Sequence, residues 1–252
     1  MYNNIYQAKP PDTKNKRYWK NRIKAIYEDI CPHHKQPGTL LDVGCSYGLL
    51  MEYFISRGWR AAGIDICENA ILHAREKGLN CHIATAESFR PDGKFDVIVM
   101  DNTLEHFKNP LKSLFSLKDL LAQDGIIYIR VPNVESVILF SGFRNFLGNM
   151  KPFEHLFYFS KSALALLLHA ANLNASIKLD GNVSLGNILN CYLRSKLVLK
   201  DYWQDLNYGI SANKKKLYFL LKHIYGEIIS VLGSMPVGVR NKELVAIAKK
   251  QI

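Results

Sequence analysis

The sequence lacks any organised set of cysteines. Cys31, Cys45, Cys67, Cys81 and Cys191 are odd in number, scattered, and never spaced C-x-x-C, which argues against a disulfide framework and against a structural zinc site. Long apolar runs are missing too. No stretch approaches the roughly 18 uninterrupted apolar residues of a membrane span, and the opening MYNNIYQAKPPDTKNKRYWKNR has no apolar segment of the kind a secretory signal needs. These absences lead to the expectation of a cytoplasmic protein, neither exported by that route nor membrane-spanning. There is no G-x-G-x-x-G fingerprint, no G-x-x-x-x-G-K-[ST] phosphate loop, no internal repeat and no low-complexity tract.

What is present suits a folded domain. A chain of 252 residues with 48% apolar content can bury a full core as one domain with an appended lobe, which excludes disordered and collagen-like classes. The net charge of +11 sits on the flanks: eight basic against three acidic residues in 1–40, nine against four in 200–252, and near balance between them. Such flanks suit an anionic partner such as a phospholipid surface, a sugar phosphate or a nucleic acid, and equally a solubilising charged surface.

Apolar patterning alternates between strand and helix periods. TLLDV (39–43) reads as a buried strand and YGLLMEYFISRG (47–58) as an amphipathic helix; RAAGIDI (60–66) and ENAILHAREKG (68–78) repeat the pair. NCHIA (80–84) and FDVIVM (95–100) read as strands, NPLKSLFSLKDLLAQDG (109–125) as a helix and IIYIRVPN (126–133) as a strand. Strands buried on both faces and separated by helices predict a parallel sheet with helices on either side. Beyond residue 134 the rhythm loosens. SKSALALLLHAANLN (160–174) is a serine-capped helix, ASIKLDG (175–181) a strand, 185–235 helical and basic, and KELVAIAKK (242–250) a closing edge strand.

The first glycine turn carries the chemistry. In LLDVGCSYGLL (40–50), Asp42 stands two residues before Gly44, and Gly44 and Gly48 are separated by three residues. A glycine turn at the carboxyl end of a buried strand commonly receives phosphate on its backbone N–H groups. A carboxylate there repels a pyrophosphate and favours a cation instead. S-adenosylmethionine (SAM), with its sulfonium and ammonium, is such a ligand. Its ribose needs an acidic acceptor at the end of the second strand, where Asp65 stands. That placement alone would also suit the ribose of a nicotinamide dinucleotide. Adenine needs an apolar slot near ATAESF (84–89), and the methionine end should meet MDNTLEHF (100–107), which brings in Asp101.

At these residues the sequence resembles the class I SAM-dependent methyltransferases. LLDVGCSYG, GIDICENAILHAREKG, FDVIVMDNTLEHFKNP and DGIIYIRVPN match in order and spacing across residues 39–133, and PFEHLFYFSKSALALLL (152–168) resembles the branch with small-molecule and glycan-modifying O-methyltransferases. The resemblance implies an α/β fold: a Rossmann-like, doubly wound, mostly parallel seven-stranded sheet with an antiparallel last strand and a helical C-terminal insertion. It divides the chain into an N-terminal helical cap (1–38), a SAM-binding core (39–181), a helical acceptor-site or interface lobe (182–240) and a closing edge strand (241–252). It implies that Asp42, Gly44, Cys45, Ser46 and Gly48 line the methionine end, that Asp65 and Ile66 hold the ribose, that Thr85, Ala86 and Glu87 lie at the adenine, and that Asp101 lies near the methyl group. Two departures stand out. Ser46 replaces a frequent glycine, tolerable if its φ is below zero. Thr85 replaces an acidic residue that often binds the adenine amine, which shifts that contact to the backbone of Ala86 and Glu87.

A hydroxyl acceptor must lose its proton, usually to His or a carboxylate. Candidates are Glu105 and His106 after the fourth strand, and Glu154 and His155 before the helix at 160, with His106 and His155 as base or acceptor-positioning residues. No histidine–carboxylate spacing suggests a metal. The helix at 15–30 is expected over the cofactor mouth, with Tyr18 or Trp19 closing it. The expected activity is methyl transfer to a hydroxyl of a sugar, glycan intermediate or related metabolite; the alternatives are N- or C-methylation of a small or lipid-linked acceptor, and a non-catalytic SAM-binding scaffold. The basic helices of 185–235 suit a peripheral membrane surface, packing on the core, or a homo-oligomer contact. Nucleic acid is disfavoured, because no recognisable module for it is present.

Overall fold

The computed structural model describes residues 16–34, 36–135, 155–182 and 241–251. Contacts divide the chain into a first unit (residues 1–132, 152–178 and 244–252) and a second (133–151 and 179–243). Of the second, only 133–135, 179–182 and 241–243 are described, and all the site geometry belongs to the first. The expected helical insertion at 182–240, the lobe it was read as, and the membrane or subunit contact assigned to it lie almost wholly outside the described residues.

The elements are α1 (Lys16–Ile30), β1 (Thr39–Val43), α2 (Leu49–Ile55), β2 (Arg60–Asp65), α3 (Glu68–Glu76), β3 (Asn80–Ile83), β4 (Phe95–Asp101), α4 (Pro110–Leu120), β5 (Leu121–Pro132), α5 (Lys161–Ala170), β6 (Leu173–Asn182) and β7 (Asn241–Lys250). They build a seven-stranded sheet in the order β3-β2-β1-β4-β5-β7-β6. The first five of these strands are parallel, and the terminal pairing is antiparallel. The strand order reverses between β1 and β4, which opens a crevice at their carboxyl ends. The Rossmann-like expectation holds.

Two details differ from the sequence reading. The last strand, β7, is not at the edge: it lies between β5 and β6, and β6 is the outer strand. Leu244, Val245, Ala246 and Ala248 are all buried, as an inner strand requires. The helix expected over 109–125 ends at Leu120, and the chain passes directly into β5. β5 pairs Phe95 with Leu121 but Val97 with Ile126, so a register irregularity absorbs Ala122–Gly125. The helix starts follow their capping chemistry. Asn109 accepts from the Lys112 N–H at 3.0 Å ahead of Pro110, and Ser160 accepts from the Ala163 N–H at 3.1 Å.

The core has separate clusters on the sheet. Ile23, Ile26 and Ile30 of α1 recur at helical spacing and bury against Phe54, Trp59, Val97, Val99, Ile126 and Tyr128. Asp29 ties this helix down: its carboxylate accepts from the Tyr128 hydroxyl at 3.3 Å and from the Lys178 ammonium. A second cluster gathers Cys45, Met51, Ile71, Ala74 and Cys81. It exists because Gly63 has no side chain: a Cβ there would lie 2.5 Å from the Met51 sulfur and 2.7 Å from the Cys45 sulfur. We therefore expect Gly63→Ala to destabilise the protein by about 1–3 kcal/mol through overpacking, read as a lower urea midpoint with an unchanged slope; an unchanged midpoint would contradict this packing.

Candidate functional site

Three carboxylates converge at the carboxyl ends of neighbouring parallel strands: Asp42 on β1, Asp65 on β2 and Asp101 on β4. Each is held differently. Asp65 accepts from two backbone N–H groups, Ser46 at 2.9 Å and Cys67 at 2.8 Å, so the end of β2 is laced to the glycine loop. Asp101 accepts from both Nε (2.8 Å) and Nη2 (2.6 Å) of Arg22, a two-pronged ion pair whose guanidinium is almost wholly buried. Arg22 also donates to the Tyr18 hydroxyl at 3.2 Å. Asp42 has neither kind of partner among the described residues. Its burial first, and then the negative charges of Asp101 and Asp65, hold its carboxyl well above the usual carboxylate range. The carboxyl is thus biased toward its protonated form, and a cation beside it would favour the charged form.

The glycine loop between β1 and α2 is fastened from below. The N–H groups of Gly44 (2.8 Å) and Cys45 (3.1 Å) both donate to the Ile64 carbonyl, that of Ser46 goes to Asp65, and that of Gly48 to the Cys45 carbonyl at 2.9 Å. These donors are committed to the protein and cannot cradle a pyrophosphate. Gly44 and Gly48 have φ of 81° and 77°, and a Cβ on Gly44 would meet the Thr103 hydroxyl at 2.5 Å. The condition under which Ser46 would replace a glycine without strain is not met: its φ is 47°. A left-handed serine costs roughly 1–2 kcal/mol, and its N–H bond to Asp65 offsets part of that cost.

The other expected ligand residues separate by where their side chains go. Cys45 is buried, with its thiol pushed up by a hydrogen bond to Cys81 and by burial, so only its backbone faces the loop. Ile66 is 44% exposed on the rim. Thr85 is exposed and exchanges hydrogen bonds with Ser88, and Ala86 is buried. The Glu87 carboxylate is engaged by the Ser113 hydroxyl. Burial pushes its carboxyl up, but hydrogen bonds from Ser113, its own N–H and Thr85 bring the net below the usual range. Tyr18 and Trp19 are both exposed on α1 and pack edge to face, 5.4 Å apart.

The candidate acid–base residues come together. Leu104–His106 forms a short 3₁₀ turn after β4, directly behind Thr103, which sits against Gly44. The Glu105 carbonyl accepts from the N–H groups of Leu156 (2.9 Å) and Phe157 (3.1 Å). Those bonds dock His155 on His106, ring centroids 4.9 Å apart at 71°. The Glu105 side chain is 1% exposed and lies 4.0 Å from His106 Nε2. Glu154 lies outside the described residues. Arg22 was missed by the sequence reading, although it sits in phase with Trp19, Ile26 and Ile30 on the apolar stripe of α1.

This arrangement defines a Rossmann-like α/β protein with a carboxylate-lined crevice at the ends of β1, β2 and β4. A family profile described as "Methyltransferase domain" matches residues 15–176; the chain belongs to that family. Ubiquinone biosynthesis O-methyltransferases from Glaesserella parasuis and Haemophilus ducreyi are 34% and 37% identical to it over 106 residues, 37% of this chain. The match takes in 45% of the length of those relatives. A SAM dependent methyltransferase from Archaeoglobus fulgidus superposes with a TM-score of 0.61 at 19% identity, over 91% of this chain and 94% of its own. The plantazolicin methyltransferase BpumL, in complex with a triazolic desmethylPZN analog and SAH, gives 0.58 at 20% identity, over 96% and 87%. These two likenesses concern the fold.

Two outcomes follow from the charge arrangement. Arg22→Ala leaves Asp101 beside Asp42 without its counter-charge and should cost about 3–5 kcal/mol, read by denaturant unfolding; a loss below about 1 kcal/mol would mean the pair is solvent-screened. Because the Asp42 pKa is raised on folding, its contribution to stability is complete below about 3.9, the unfolded value, and is lost as pH rises through the folded value. The melting temperature of Asp42→Asn relative to the parent should therefore rise as pH is raised above about 4, and a flat difference would contradict the assignment.

Proposed function

We propose that the chain binds SAM across the ends of β1, β2 and β4 and transfers its methyl group to a hydroxyl of a small metabolite. One observation carries this reading: the glycine-loop donors that a pyrophosphate would need are already bonded, while a buried carboxyl beside them lacks a counter-charge. The residues present fit the ligand. Asp42 meets the positive end, Asp65 has acceptor capacity left for ribose hydroxyls, and Gly44 leaves room where a side chain would intrude. The names of the relatives favour O-methylation of a small metabolite, and a sugar or glycan intermediate falls within that class. No helix among the described residues is long and apolar enough to cross a membrane.

When bound, SAM supplies an activated methyl carbon on a sulfonium sulfur. The rest is positioning. Asp42, ionised once the cation is seated, orients it; Asp65 fixes the ribose end; and Glu105, His106 and His155 hold the acceptor oxygen and deal with its proton. This cluster favours an enzyme over a scaffold, which would have no use for it.

Calorimetry on Asp65→Asn should find SAM affinity reduced roughly 10- to 100-fold, the value of one or two hydrogen bonds to a charged group. Unchanged affinity, or tight binding of a nicotinamide dinucleotide by the parent, would remove the cofactor assignment. His155→Ala should lower turnover on the acceptor found by a metabolite screen far more than it lowers SAM affinity; an unchanged rate would reject its role.

A further inference from the structure

We propose that Glu105, His106 and His155 form a binding site for a divalent first-row transition cation, open on the side that faces the acceptor. One ligand atom from each of these residues lies within 4.8 Å of the others. Ligand atoms around a tetrahedral ion are about 3–3.5 Å apart, given metal–ligand bonds of about 2.0–2.1 Å. Small side-chain rotations close the difference. The backbone beneath is already set: Glu105 and His106 are consecutive on the 3₁₀ turn, and the two N–H bonds from Leu156 and Phe157 to the Glu105 carbonyl hold the His155 segment against it. A site built on locked backbone loses little entropy on capturing an ion.

His106 Nε2 lies 4.0 Å from Glu105 Oε1, and the rings of His106 and His155 are 4.9 Å apart, so the three groups face a common volume. A cation held by neutral imidazoles and the buried carboxylate uses all three groups at once. Two nitrogens and one oxygen select zinc, cobalt, manganese or iron over magnesium or calcium, which favour all-oxygen shells. Three protein ligands leave coordination positions open. Thr103, two residues before Glu105, packs on Gly44, so the cluster adjoins the glycine loop.

The role of the ion rests on the methyltransferase reading, but its binding does not. Bound to the cation, an acceptor hydroxyl would become more acidic, as metal-bound water does, its proton would pass to solvent water, and its oxygen would be fixed facing the methyl group. Neither histidine then needs to act as a free base.

The test is Co²⁺ titration of the full chain, freed of metal by chelation, followed by visible absorption and calorimetry. We expect one Co²⁺ per chain with a d–d band, and binding weakened on the order of 100-fold or more in both Glu105→Gln and His155→Ala, while SAM affinity stays within a few-fold of the parent. Mg²⁺ in excess should not displace the cobalt. Absence of stoichiometric binding in the parent, or equal binding in both variants, overturns the site, whatever SAM does. Cobalt binding without SAM binding would overturn the functional reading and leave the site standing.

Discussion

The structure depends on how three carboxylates share the carboxyl edge of one parallel sheet. At such separations in a partly buried crevice, three like charges are costly, and the chain resolves the cost residue by residue. Asp101 takes an arginine reaching in from α1, and Asp65 takes two backbone N–H groups. Asp42 receives neither and is driven toward its protonated form. A carboxyl without a counter-charge in a crevice favours a cation over an anion, which is the basis of the proposed SAM site. The same lacing that satisfies Asp65 uses up the loop donors, so electrostatics and hydrogen-bond accounting both disfavour a phosphate ligand.

Much of the sheet half was legible because its signals are local. The run LLDV, the two glycines and the acid closing GID all act within a few residues of where they stand. Their order gave the strand-helix alternation, the switch point and most of the expected ligand positions. The conformation of Ser46 is not legible because periodicity carries no sign of φ; only the closed loop, with Ser46 N–H aimed at Asp65, requires the left-handed conformation. Glu87 was legible as a position but not as a contact, since its partner Ser113 lies in a helix 26 residues on. The place of β7 inside the sheet could not be read from its own alternation, because an inner and an outer strand of that composition look alike; what decides is β6 lying beyond it.

The acceptor side was the harder part. Glu105 and His106 are neighbours in sequence, but His155 joins them only because two N–H groups of the following residues choose the Glu105 carbonyl. No spacing in the sequence betrays a contact assembled across so long a gap, so the residues are legible in the sequence and their contact is not. Arg22 is a similar case: an arginine on an apolar helical stripe is a visible anomaly, and its reason is an aspartate 79 residues away.

The most direct measurement is the number of protons exchanged when SAM binds. Calorimetry in buffers of differing ionisation enthalpy, between about pH 5 and 6.5 where an α-ammonium group is already fully protonated, reads it without knowledge of the acceptor. If Asp42 is the waiting receptor, binding releases protons and Asp42→Asn abolishes the release. Binding whose heat is independent of buffer, or a release that survives in Asp42→Asn, would contradict the account.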